Sequence, residues 1–355
     1  MSSPGPIPRA VGWWLLLVAA AVFVQVGLGG ITRLTDSGLS ITEWKPLLGV
    51  IPPHDDAGWA EAFARYQQIP QYIQLKSHLT LEEFRFIYFW EWFHRLWGRL
   101  LGFFFGVPAL VFWRRGQLKG LERRMIGLFI LGGAQGFLGW FMVASGLQDL
   151  VYVSHLRLAA HFMLALFLLS ALVWTGVQIL APSPLTDPRL RRGSWILLAL
   201  LCVQLSWGAF MAGLKAVLMA PTWPTINGMW FPSAVWSELP WQHPLSVHFI
   251  HRTLGYSLVL AVAVWWWATR KSLTWQRHLV LALVCAQVTL GVITILFSTH
   301  QGALLWLGLA HQLTGTALLA SLITCLPLPA NAGRGSGRGA TSAPPSPQER
   351  SQPAS

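Results

Sequence analysis

Charge is scarce in this chain, and acid is scarcest. Of 355 residues 11% are charged, with 13 Asp and Glu against 25 Lys and Arg. Soluble domains are about 25% charged, so a surface wetted on all sides is excluded. Cysteine is nearly missing, with Cys202, Cys285 and Cys325 its only examples. Their spacing suits neither a zinc site nor a disulfide framework. All three fall in apolar runs, where a thiol packs as a small hydrophobe. What fills the chain is apolar: 54% hydrophobic residues, 13% aromatic, and a mean hydropathy of +0.50.

The apolar residues come in runs of about 20, the length that spans a bilayer as a helix. Eight runs are read, at 11–30, 86–112, 124–146, 155–178, 194–215, 245–269, 278–298 and 304–327. Ala19-Ala20-Ala21 in the first run offers a small-residue site of the kind that ends a signal peptide. The repeat described below argues that the segment is kept. Basic residues sort by side. Arg114, Arg115, Lys119, Arg123 and Arg124 separate runs two and three, Arg189, Arg191 and Arg192 separate four and five, and Arg270, Lys271 and Arg277 separate six and seven. Arg9, Arg334 and Arg338 flank the set. The alternate connections are poor in Lys and Arg for their length or carry balancing acids. This pattern predicts a multi-pass inner-membrane protein with both termini cytoplasmic. The net charge of +12 then reflects topology and calls for no nucleic-acid partner.

Four odd-numbered runs share one phrase, Gln-x-x-x-Gly: Gln25 and Gly29, Gln135 and Gly139, Gln204 and Gly208, Gln287 and Gly291. Both residues lie on one helix face, where glycine allows close approach and glutamine can bond across the contact. The even-numbered runs carry histidine: FHRLWG with His94, LAAHF with His161, IHRTLG with His251 and GLAHQ with His311. The alternation occurs twice, which predicts a duplicated four-helix unit in parallel orientation. The expected fold is an all-α integral membrane protein of eight transmembrane helices in two tandem pseudo-symmetric four-helix bundles. Its expected divisions are a cytoplasmic stretch 1–10, a first bundle 11–180 with a long outer loop 31–85, a cytoplasmic linker 181–193, a second bundle 194–327 and a disordered tail 328–355. His161, His251 and His311 enter early, roughly 10 Å into their runs, so all four histidines are expected in the outer half of the membrane.

One histidine in such a helix is ordinarily a packing residue with a hydrogen-bond partner. Two per bundle, at repeated positions, suit a haem iron held from both sides. Ala159, Ala160, Gly98, Gly255 and Gly315 beside them leave room for a flat macrocycle. Arg95, Arg157 and Arg252 are candidate contacts for haem propionates. His54, His78, His155, His243, His248, His278 and His300 are read as solvated or structural. The halves differ at one place: Glu91 stands three residues before His94, and His248 holds that place before His251. A carboxylate inside an apolar helix is costly and points to function. One half reads as a plain bis-histidine haem site, the other as a haem site with an acid beside it.

The phrases GGITRLTDSGLSITEWKPLLGVIPP, FIYFWEWFHRLWGR, RLAAHF, TWPTINGMWFP, HFIHRTLGY and AHQLTG together resemble the heme A synthase family over nearly all the chain. The resemblance implies an oxidoreductase of heme biosynthesis and cytochrome oxidase assembly. Its substrate, heme O, would lie between His94 and His161, and a haem b cofactor would be ligated by His251 and His311. Glu91 would be the catalytic carboxylate. The ring methyl of heme O would become the formyl of heme A by successive hydroxylations, with oxygen derived from water. Some members carry a cysteine pair in the first outer loop. This chain has none there and is similar to the mitochondrial and alphaproteobacterial type. Lys215 is a basic departure in the second outer loop. The reaction implies a membrane electron acceptor such as a quinone, and delivery from heme O synthase; pairing with a second copy is left open. The competing reading is a diheme membrane electron-transfer cytochrome, for which Glu91 would have no use. A haem carrier that binds and releases its cargo unchanged is a third.

Overall fold

A computed structural model describes residues 7–43, 48–147, 150–181, 188–236, 238–271 and 275–326. Nine α-helices lie among them: α1 (Arg9–Leu34), α2 (Asp56–Tyr66), α3 (Leu81–Arg114), α4 (Glu122–Ala144), α5 (His155–Leu180), α6 (Pro188–Gly213), α7 (Pro244–Ala268), α8 (Trp275–Leu296) and α9 (Gln301–Thr324). All but α2 are long and apolar enough to cross a membrane. No strand is formed among the described residues beyond a single bridge between Ile226 and Met229.

Each expected run is a helix, and the bounds move for physical reasons. The Thr80 hydroxyl accepts from the Glu83 amide while the Glu83 carboxylate accepts from the Thr80 amide, so a capping box starts α3 ahead of its apolar run. α6 starts at Pro188, where proline's missing N–H is no loss. Much of the expected linker 181–193 is therefore helix, and 182–187 lies outside the described residues. α6 stops at Gly213, short of the expected 215, because Lys215 adopts a left-handed φ of 52°. The expected tail 328–355 also lies outside the described residues.

Helices α1, α3, α4 and α5 pack in a closed ring, α1 on α3, α3 on α4, α4 on α5 and α5 on α1. Helices α6, α7, α8 and α9 do the same in the same order. Between the rings α1 meets α9, α5 meets α6, and α5 meets α9. Exchanging each helix for its repeat counterpart turns the first contact into the second and leaves the third unchanged. One apolar core joins Val11, Leu15 and Val18 of α1 to Leu169 and Leu172 of α5. Another joins Leu197 and Leu201 of α6 to Val262, Val284 and Leu318. The outer loop 31–85 contributes a third. α2 and a π-helical turn at Tyr72–Lys76 fold Tyr66 and Ile69 onto Leu39, Phe84 and Ile87. Burial there pushes the Tyr66 phenol above its ordinary pKa, with the Asp36 and Glu91 carboxylates adding to the shift.

Candidate functional site

The Gln-x-x-x-Gly phrase builds a seat for each histidine. Gln25 of α1 donates from Nε2 to the main-chain carbonyl of His94 on α3 (3.1 Å). Gln135 of α4 does so to His161 of α5 (3.0 Å), and Gln204 of α6 to His251 of α7 (3.1 Å). In the fourth seat His311 Nδ1 donates to the Gln287 main-chain oxygen (3.0 Å), and His311 Nε2 lies 3.1 Å from Gln287 Nε2. The glycine four residues on makes space for the ring. A Cβ there would stand 3.3 Å from His94 at Gly29, 3.1 Å from His161 at Gly139, 3.3 Å from His251 at Gly208 and 3.1 Å from His311 at Gly291.

All four histidines line one cavity of about 1540 Å³ that runs through both rings. Ligand pockets are usually about 300–1,000 Å³, so there is room for more than one large guest. His251 and His311 face each other with ring centroids 6.3 Å apart. Metal–imidazole bonds of about 2 Å on opposite faces of one ion would set the centroids about 6 Å apart. No group of three His, Cys, Asp or Glu able to cage a bare metal ion occurs among the described residues. The pair fits an iron whose remaining ligands come from a macrocycle. The cavity wall carries Arg33, Lys76, Arg95, Arg99, Lys215 and Arg252 against Asp36 and Glu91. That excess of four positive charges suits anionic guests.

Glu91 is 2% exposed and reaches this cavity. Its Oε2 accepts from the Ser40 hydroxyl (2.7 Å) and the Ile41 amide (2.8 Å), and its Oε1 from Arg95 (2.6 Å). Arg95 also donates to the carbonyls of Ile41 (3.0 Å) and Glu43 (3.2 Å), which pins the first outer loop over α3. The second half repeats the device. Arg252 donates to the carbonyls of Ala220 (3.3 Å) and Thr222 (2.7 Å), the repeat counterparts of Ile41 and Glu43, and to Thr225 (3.2 Å). Where the first half has the acid, Arg252 Nε donates to Nε2 of the buried His248 (3.0 Å). Where the first half has Ser40, the second has Met219. The acid and its hydroxyl donor are replaced together.

A family model described as cytochrome oxidase assembly protein, COX15-CtaA, matches residues 12–323. The chain belongs to this family. It is 44% identical to the heme A synthase of Rhodospirillum centenum over 326 residues, covering 88% of this chain and 86% of that protein. It is 42% identical to the heme A synthase of Rhizorhabdus wittichii over 334 residues (91% and 94%), and 43% identical to that of Brucella suis over 325 residues (88% and 89%).

In this COX15-CtaA chain the candidate arginines part company. Arg95 and Arg252 line the cavity, whereas Arg157 stands outside its lining, 3.8 Å over the Phe141 ring, and donates to the Phe141 carbonyl. Among the histidines read as structural, His248 is fully buried and lines the cavity, and His78 lines its rim. Ser40 and the Ile41 amide carry no signal in the sequence, since both sit in a loop about 50 residues from Glu91 with no periodic pattern to mark them. The three cysteines are free.

Proposed function

We infer that this chain is a heme A synthase, an enzyme that oxidises the ring methyl group of heme O to the formyl group of heme A. The observation that carries the reading is a chemical difference at matched positions beside the histidines: a buried, triply hydrogen-bonded carboxylate at Glu91 where the second half has His248. We propose that His94 and His161 flank heme O, and that His251 and His311 ligate haem b. When bound, haem b supplies a one-electron redox centre that passes electrons to a membrane acceptor such as a quinone. The first half has more room, which supports its taking the bulkier guest. Gly102, Gly132, Gly133 and Gly136 have open space where a side chain would be. Their counterparts in the second half are Val259, Val284, Cys285 and Val288.

Removing electrons from a methyl group leaves an electron-poor carbon. Glu91 faces that charge from a low-dielectric wall, where a fixed carboxylate acts strongly. Its free lone pairs accept a proton from the attacking water. Arg95, Ser40 and the Ile41 amide hold both oxygens in place, so little reorganisation is needed as charge develops. The excess positive charge of the cavity matches the four propionates of two haems, with Arg95 and Arg252 the nearer of the proposed arginine contacts. The arrangement of arginines and lysines supports a topology with both termini in the cytoplasm and the haem sites toward the outer side. The divisions 11–180 and 194–327 serve as substrate half and cofactor half. Delivery of heme O by heme O synthase, and pairing with a second copy, belong to the same proposal.

The test is haem extraction from the chain purified with and without heme O supply, alongside Glu91→Gln. Heme A or its hydroxylated precursor should appear only with heme O, and Glu91→Gln should keep haem b while forming no heme A. Haem b alone at two per chain in both preparations would refute the enzyme reading in favour of an electron-transfer cytochrome.

A further inference from the structure

The two halves touch through a pair of residues that occupy the same place in each. Asp36 Oδ2 accepts from Lys215 Nζ at 2.6 Å, across 179 residues. The same shift carries Gln25 to Gln204 and Gly29 to Gly208, so Asp36 and Lys215 are repeat counterparts of opposite charge. Both have left-handed backbones, with φ of 53° and 52°. Non-glycine residues seldom hold that conformation unless their surroundings fix it. The surroundings here are cross-half contacts. Arg33 bonds Asp36 Oδ1 (3.0 Å) and also donates to the Ala212 and Gly213 carbonyls at the end of α6 (2.6 and 3.2 Å). Lys215 also donates to the Tyr152 hydroxyl (3.1 Å). The ion pair is half-buried in the cavity wall, where screening by water is weaker than at an open surface.

From Asp36 the chain turns at once to the catalytic carboxylate. Ser37 donates to Thr32 (2.9 Å), Ser40 donates to Ser37 (3.0 Å), and Ser40 and Ile41 then hold Glu91 Oε2. We propose that Asp36 and Lys215 are positioning residues: their cross-half ion pair fixes the turn that presents Ser40 and Ile41 to Glu91, so the cofactor half sets the placement of the acid in the substrate half. This rests on the reading of Glu91 given above.

The experiment is a double-mutant cycle in the full-length chain, in membranes supplied with heme O, using Asp36→Asn, Lys215→Met and both together. Lys215→Arg and Glu91→Gln run beside them. Each single variant is expected to lower heme A formed per chain about three- to tenfold, and the double variant no further than the worse single. Haem b content and the absorption of both haems should stay as in the parent, and Lys215→Arg should recover most of the activity. Additive losses, unchanged activity, or haem b lost in step with heme A would each overturn the proposal. Glu91→Gln tells the two failures apart. If it is inactive while the cycle is flat, only the positioning role falls; if it forms heme A normally, both readings fall.

Discussion

Adding one methyl group at each histidine seat should weaken one haem site and leave the other alone. Gly139→Ala and Gly291→Ala put a carbon 3.1 Å from an imidazole carbon, and Gly29→Ala and Gly208→Ala put one 3.3 Å from the ring. Ordinary carbon contacts lie at about 3.5–4.0 Å, so each ring must yield by a few tenths of an ångström. Overfilling of this kind costs about 1–3 kcal/mol. At 1.4 kcal/mol per tenfold, that is about a five- to 150-fold loss of affinity for the guest the ring holds. The same change in a helix interior gains about 0.8–1.0 kcal/mol of helix propensity. That gain is present with or without a guest, so it protects the fold and not the site. The assay is haem b per chain and heme A per chain after purification. Gly208→Ala and Gly291→Ala should lose haem b, with the second worse. Gly29→Ala and Gly139→Ala should keep haem b and lose heme A formation. Equal loss of haem b from Gly139→Ala and Gly291→Ala would refute the assignment of one guest to each histidine pair. Parent-like behaviour of all four would refute the seat itself.

Removing the Ser40 hydroxyl takes away one of three donors to Glu91. Ser40→Ala should cut heme A formation about tenfold, as expected for a hydrogen bond to a charged group, and a rate unchanged from the parent would count against that placement. Filling the open space of the first half with Gly136→Val should reduce heme A formation while sparing haem b; loss of haem b instead would show that the space is needed for folding. Arg252→Met should release the second outer loop, seen as faster limited proteolysis within 220–230, and unchanged protection would show that its carbonyl bonds do not hold the loop.

The bilayer made much of this structure readable. Helices long enough to cross it leave an unbroken apolar signature, and an ionisable residue such as Glu91 or His94 stands out against that background. The same contrast is missing outside the membrane. α2 has no such signature because its apolar residues, Trp59, Phe63 and Tyr66, face a small loop core among polar neighbours. Thr80 and Glu83 spell a capping box, but it lies beyond the apolar run, where the bilayer imposes no pattern. Gln-x-x-x-Gly was visible as a packing motif. That it seats histidines depends on which helices are neighbours, and a linear repeat does not state that. Lys215 looked like an exception in its own loop. Only the fold brings it to Asp36 and shows the two as one position with inverted charge.

Arg95 and Arg252 both grip their loops by carbonyl oxygens, at Ile41 and Glu43 in one half and at Ala220, Thr222 and Thr225 in the other. A carbonyl is the same in every residue, so these bonds do not depend on which side chain stands there. At Ile41 or Ala220 the side chain can therefore change while the loop stays clasped at the same point. A duplicated protein can thereby let its two copies diverge in chemistry while keeping a common frame.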